Sequence, residues 1–165
     1  MKSESLPPVK GVIPLEQMFG EDDDESRLLG VMASGARNYI QSFPWCKRIR
    51  ETCFGDGHGG IVALFLFRIE PSRPGVDEWL WVIYGDVPPA YLVTDISKTP
   101  SQALEAYIAE MSKWVRLAKQ GRASKDVIPV NVPATPENAV NLEGRLRFLQ
   151  KVIVPAFKES ETVRG

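Results

Sequence analysis

Histidine and cysteine are scarce in this chain, with one of the first and two of the second in 165 residues. A single His excludes a multi-histidine metal centre within one chain, and two cysteines cannot build the disulfide framework of a small secreted domain. Cys46 and Cys53 stand seven apart, the spacing of neither a CxxC redox pair nor a zinc knuckle, so buried free thiols are expected. Long apolar runs are also lacking. The longest, Ile61 to Phe67, stops at Arg68 after seven residues, against about 20 for a helix that crosses a bilayer. The opening Met1-Lys2-Ser3-Glu4-Ser5-Leu6-Pro7-Pro8 has no apolar stretch leading to a small-residue cleavage site. These features together lead us to expect a cytoplasmic protein with no membrane partner. An excess of positive charge is absent too, with 20 Lys and Arg against 21 Asp and Glu and a pI near 5.9. Without that excess the chain lacks the broad attraction on which non-specific nucleic-acid binding depends, and no nucleic-acid partner is expected.

What is present is enough apolar material for a core. At 165 residues and 44% hydrophobic composition, a single domain can bury roughly 70% of the surface its unfolded chain exposes, so no metal or cofactor is needed for stability and none is expected. The near-zero net charge hides an uneven distribution. Residues 1–30 hold three basic and seven acidic side chains, while residues 112–165 hold ten and five. The ends therefore attract, either within one molecule or as two patches for separate partners.

Along the chain, residues 1–20 carry Pro7, Pro8, Pro14, Gly11 and Gly20 among Val9, Val12, Ile13, Leu15, Met18 and Phe19. This reads as an extended arm packed on the domain, because a disordered tail would not carry so many large apolar side chains. The run Asp22-Asp23-Asp24-Glu25 predicts a helix start, where carboxylates cap free N–H groups and oppose the positive end of the helix dipole. Leu28, Met32, Ala36, Tyr39 or Ile40, and Phe43 follow at helical spacing up to Pro44. Cys46 to Phe54 reads as an edge strand protected by Lys47, Arg48, Arg50 and Glu51. Gly55-Asp56-Gly57-His58-Gly59-Gly60 reads as a turn. Ile61 to Glu70 and Glu78 to Tyr84 carry apolar residues on both parities, the pattern of strands covered on both faces. Ala90 to Thr94 adds a short fourth strand. Thr99-Pro100 with Gln102, and Thr135-Pro136 with Asn138, are helix starts. Leu104, Tyr107, Ile108, Met111, Trp114, Val115 and Ala118 then form one apolar stripe, and Leu142, Leu146, Leu149 and Ile153 a second, the latter ending or kinking near Pro155.

The expected fold is α+β: an antiparallel sheet of three or four strands with an N-terminal helix and two C-terminal helices packed on it, in the order α-β-β-β-(β)-α-α. The domain spans 21–160, with the arm at 1–20. Because both parities of the central strands are apolar, something must cover the second sheet face. The arm, the 122–134 segment or a second subunit could do so, and the last of these would make a homodimer through the sheet.

Catalytic chemistry is thin. His58, beside Asp56 and flanked by glycines, resembles an active-site loop, and Cys53 on the same turn could be activated by either neighbour. Cys53, Asp56 and His58 therefore form one candidate site, with a plain hairpin as the competing reading. The four glycines here lack the following Lys-Ser/Thr and helix of a phosphate-binding loop. The second candidate is the stretch from Trp79 to Leu92, together with Asp95. Trp79, Trp81 and Tyr91 are the residue types of binding hot spots, Asp86 can fix the turn, and Pro88-Pro89 stiffens it, so that little entropy is lost on binding. The competing reading is a rigid loop that finishes a sheet.

The segment Val76 to Val115, with a Trp-rich strand, a GD-x-PP-x-Y turn and a following amphipathic helix, resembles a family of small uncharacterised bacterial proteins of unknown function. That resemblance implies a bacterial cytosolic origin and carries over no activity and no catalytic residue. The expected function is a non-enzymatic protein-binding or accessory module that docks a protein partner at Trp79, Trp81, Asp86, Tyr91 and Asp95. The alternative is a small enzyme or ligand-binding protein with a pocket at the end of the sheet.

Overall fold

In the computed structural model, which describes residues 6–164, the acidic run starts the first helix as its chemistry predicts. Asp22 caps α1 (Asp23–Gln41) by accepting from the Glu25 N–H at 2.8 Å. Glu25 in turn reaches back to accept from the Glu21 N–H at 2.8 Å, close to a capping box. Leu29, Met32, Ala33, Ala36 and Ile40 form the buried face of α1.

The sheet is a fully antiparallel meander of five strands in the spatial order β1-β2-β3-β4-β5. They are β1 (Ile13–Pro14), β2 (Cys46–His58), β3 (Val62–Pro71), β4 (Trp79–Gly85) and β5 (Val87–Val93). The strand beyond the expected four comes from the arm. Ile13 and Pro14 pair with Phe54 and Cys53, and two residues are too few to show a period in sequence. The first half of β2 is left as an exposed edge, where Lys47, Arg48 and Arg50 all engage Glu70 of β3. Of the arm, residues 1–5 lie outside the described residues. Val9 and Val12 pack on one side of the sheet and Ile13, Leu15 and Met18 on the other, whereas Phe19, expected to pack, is 76% exposed.

The expected Gly55–Gly60 turn is a correction. β2 runs on to His58, and the chain reverses at Gly59-Gly60-Ile61, with Gly60 at φ 81° and the Ile61 N–H donating to the His58 carbonyl at 3.0 Å. The glycines of β2 answer to packing rather than to turn geometry. A Cβ on Gly57 would sit 2.7 Å from the Ala63 Cβ, and one on Gly55 would sit 3.1 Å from the Leu64 carbonyl.

Side-chain parity decides which layer each strand residue joins. Val62, Leu64, Leu66, Trp79, Trp81 and Ile83 face α2 (Pro100–Ala118), α3 (Pro136–Phe148) and α4 (Val154–Arg164). Ala63, Phe65, Phe67, Ile69, Leu80 and Val82 face α1. The second face is therefore covered by α1, with Ile13, Leu15 and Met18 of the arm packed against the same cluster and the 122–134 segment on the other side, so the apolar parities are explained within one chain. Residues Val127, Ile128 and Val130 of the 122–134 segment pack at the margin of the α2–α4 layer.

Thr99 and Thr135 cap α2 and α3, accepting from the N–H groups of Gln102 and Asn138 at 3.2 Å each. Pro155 does not end the last helix. A π turn over Leu149–Ile153, in which the Val154 N–H donates to the Leu149 carbonyl, widens the helix ahead of the proline ring and carries the chain on into α4. Glu161 of α4 then accepts from both the N–H and the hydroxyl of Ser101 at 2.7 Å, tying the last helix to the start of α2. Among the described residues the acidic start and the basic end do not meet as an ion pair. Among the described residues the basic side chains of the C-terminal third that form ion pairs do so with Asp86, Glu105, Glu110 and Glu143.

Candidate functional site

β5 is the last strand of the sheet, and its outer edge carries an apolar cleft. The start of the strand is fixed by two contacts. At the β4–β5 turn the Asp86 N–H donates to the Ile61 carbonyl at 2.9 Å, and a Cβ on Gly85 would lie 2.3 Å from that same oxygen, so only glycine fits. One strand residue later the Tyr107 hydroxyl donates to the Pro88 carbonyl at 2.5 Å, joining β5 to α2. Two consecutive prolines, Pro88 and Pro89, lie in this edge strand. Alternate residues of a strand present their backbone outward, so in either phase one of the two removes a donor from the free edge.

Tyr91 points toward the α1 side, where it joins an aromatic cluster at the end of that helix. Its ring centroid is 5.2 Å from Phe43 and 5.0 Å from Trp45, both edge-on. Phe43 stacks on Trp45 at 4.8 Å and meets Tyr39 edge-on at 5.2 Å. These are the offset and T-shaped arrangements that the ring quadrupole favours. The adjoining cleft measures about 660 Å³ and runs along β5. Tyr39 and Phe43 line one side, Pro89, Tyr91 and Val93 its floor, and Ile128, Pro129 and Glu110 the other side. Burial pushes the Tyr39 phenol up to about 12, with Tyr91 adding in the same direction. It stays a neutral hydroxyl at neutral pH. Glu110 is held at the rim by Lys113 at 2.6 Å.

A second, smaller cavity of about 350 Å³ opens on the other side of a wall made by Pro88, Val130 and Asn131. Its lining is mixed: Asp86, Asn138, Asn141 and Arg145 stand among Val87, Val132 and Leu142, with Arg145 Nε 3.4 Å from Asp86 Oδ2. Both of the charged side chains are substantially exposed, so this ion pair adds little stability.

The residues singled out from sequence are thus separated by the fold. Tyr91 lines the apolar cleft, and Asp86 lines the smaller cavity beside it. Asp95 is exposed beyond β5 and lines neither. Trp79 and Trp81 are core residues rather than surface ones, which corrects the docking role expected of them. Their parity turns them into the α2–α4 layer, where Trp81 is fully buried and its indole N–H donates to the Ser97 carbonyl at 3.0 Å. Trp79 is 9% exposed, beneath the Arg68 guanidinium.

Cys53, Asp56 and His58 all lie on β2 and are not gathered at one point. Five residues of strand place Cys53 and His58 about 17 Å apart. Burial, reinforced by Glu51 and Glu16, pushes the Cys53 thiol up to about 11, away from the thiolate that a nucleophile needs. The Asp56 carboxylate accepts from the Gly57 N–H at 2.9 Å, and the His58 ring stacks on Phe157 of α4. Cys46 is likewise a buried free thiol. Among the described residues no group of three or more His, Cys, Asp and Glu could hold a metal ion, and no helix is long and apolar enough to cross a membrane.

Sequence reading missed Phe43 with Trp45 as a surface cluster, and Ile128 with Pro129 as the opposite wall. The signal that could have found the first pair is Tyr39-x-x-x-Phe43-Pro44-Trp45, three rings concentrated where a helix stops. Comparisons of the chain with protein-family models, with curated proteins and with solved structures find no match.

Proposed function

We propose that the chain is a non-enzymatic protein-binding or accessory module of a bacterial cell, and that its contact site is the cleft along β5. The observation that carries this reading is the make-up of that cleft, with rings, prolines and branched side chains on its walls and one carboxylate, Glu110, at its rim. Such a surface recognises an extended apolar segment of a protein partner, one that carries proline or aromatic side chains and a basic residue to meet Glu110. The proline pair opposes addition of a strand to β5, so recognition falls to side chains in the cleft rather than to backbone pairing. Pro88, Pro89 and the fixed turn hold the surface in place before binding, which lowers the entropic cost of association.

The test is site-specific photo-crosslinking from position 91 in cells, with position 126 on the 122–134 segment as control. A protein adduct formed at 91 and not at 126, and lost when Phe43→Ala and Pro89→Ala are added, supports the reading. Identical adducts from both positions, or none from 91, sink it. The amide and charged groups in the smaller cavity favour a second reading, a small ligand with polar groups held by Asn138, Asn141 and Arg145 at the end of the sheet. Thermal-shift screening of small carboxylates and amides against wild type and Arg145→Ala separates the two, because only the second reading predicts a shift that Arg145→Ala removes.

A further inference from the structure

The outward face of α3 carries two large apolar side chains among its polar and charged residues. Val140 and Phe148 are 57% and 44% exposed, and Val152, one turn beyond, is 49% exposed. Between them sits Gly144, where an added Cβ would meet nothing within 4 Å. Residues 140, 144 and 148 are four apart and so stack on one face of the helix, with the groove between Gly144, Phe148 and Ile61 alongside.

The charges bordering this stripe are ordered. Glu137 and Glu143 lie on the N-terminal side of Gly144, and Arg145, Arg147 and Lys151 lie at or beyond it on the C-terminal side. With Asp86, which pairs with Arg145, and Lys119, which pairs with Glu143 at 2.8 Å, the border holds three acids and four bases. A surface of nearly balanced charge, with α3's own acids toward its start and its bases toward its end, offers little to a strongly acidic or strongly basic partner. It suits its own reversed copy.

We propose that α3 is the contact face of a two-fold symmetric homodimer in which the two α3 helices run antiparallel and cross at Gly144. In that arrangement residues equidistant from Gly144 come together. Val140 meets Phe148 of the second copy, and Glu137 meets Lys151. Glu143 and Arg147 share one flank of the helix, so each Glu143 is offset by only about half a turn from the other copy's Arg147. The two helix dipoles also oppose one another. A parallel pair would instead place Glu137 against Glu137 and Lys151 against Lys151. Gly144 lets the two backbones approach closely at the crossing. The face is separate from the cleft along β5, so this inference stands or falls independently of the function proposed above.

A helix pair of 13 residues each is about 20 Å long. That is less than a standard interface, so the dimer dissociates on dilution. Sedimentation equilibrium of the full chain should show a mass rising from 18.4 kDa toward twice that value with concentration. Glu137→Lys and Lys151→Glu are both surface changes, and circular dichroism should show unaltered folding. Each alone should weaken dimerisation about tenfold, because it sets like charges together at both ends of the pair. Mixed in equal amounts, the two variants should dimerise within about threefold of wild type, since every pair is then opposite again. Phe148→Asp should leave a monomer. A wild-type mass that stays at 18.4 kDa up to about 1 mM chain overturns the proposal, as does a mixture that dimerises no better than its two components.

Discussion

Gly35 sits on α1 where that helix passes closest to β4, and it sets up a change of sign that stability measurements can detect. A Cβ at position 35 would lie 2.4 Å from two ring carbons of Tyr84 and 2.6 Å from its hydroxyl oxygen. Ordinary carbon contacts are about 3.5–4.0 Å, so Gly35→Ala forces a displacement of about 1 Å between helix and ring. Overpacking of this kind costs about 1–3 kcal/mol. Against it stands the gain from replacing glycine inside a helix, about 0.8–1.0 kcal/mol. The net expectation is a loss of about 0–2 kcal/mol. Gly30 lies on the same helix with nothing within 4 Å of an added Cβ, so Gly30→Ala should stabilise by about 0.5–1 kcal/mol. In a Tyr84→Ala background the ring is gone, and Gly35→Ala should then stabilise as Gly30→Ala does. Urea unfolding followed by tryptophan fluorescence and by circular dichroism, with coincident transitions, measures all of these. At this chain length each 1 kcal/mol moves the melting temperature by about 2–4 °C. The reasoning fails if Gly35→Ala stabilises the wild type as much as Gly30→Ala does, or if its cost survives removal of the Tyr84 ring.

Cys53 should lower stability as pH rises. Its folded thiol is pushed up to about 11 by burial, from an ordinary value of 9.0, so between those values the unfolded chain has released a proton that the folded chain still holds. Stability therefore falls with pH across that window, and Cys53→Ala should flatten the slope of urea midpoints there. An unchanged slope refutes it. Trp81→Phe removes the buried donor to the Ser97 carbonyl and leaves a void. The unpaired carbonyl alone costs about 1–3 kcal/mol, and a loss below about 1 kcal/mol in urea unfolding would contradict the burial argument.

Alternation along β3 and β4 makes the two-layered sheet legible in the sequence, because parity alone sorts Leu64 from Phe65 and Trp81 from Val82. Helix starts are equally legible, since Asp22, Thr99 and Thr135 each announce themselves by what stands three residues on. Elements made by tertiary contact are not. Ile13 and Pro14 become a strand only because the edge of β2 is there to receive them, and Gly55 and Gly57 are strand residues because their neighbours leave no space for a side chain. The cleft belongs to the same class. Tyr39 reads as part of a core stripe and Pro129 as part of a loop, and nothing in their local sequence says that they face one another across the edge of β5. Trp79 and Trp81 show the converse, as residue types suited to binding that the two-layered sheet commits to the interior.

The meander also has a consequence for synthesis. Every strand after the first pairs with the strand just before it, while the two helical layers lie on opposite sides of those strands in sequence. During vectorial synthesis α1 precedes the face it covers, so Phe65, Phe67 and Val82 meet their partner helix as soon as β4 has emerged. Leu64, Leu66 and Trp81, on the other face, stay bare until α2 through α4 follow. That interval leaves one apolar sheet face without its cover, the condition under which nascent chains aggregate or engage chaperones.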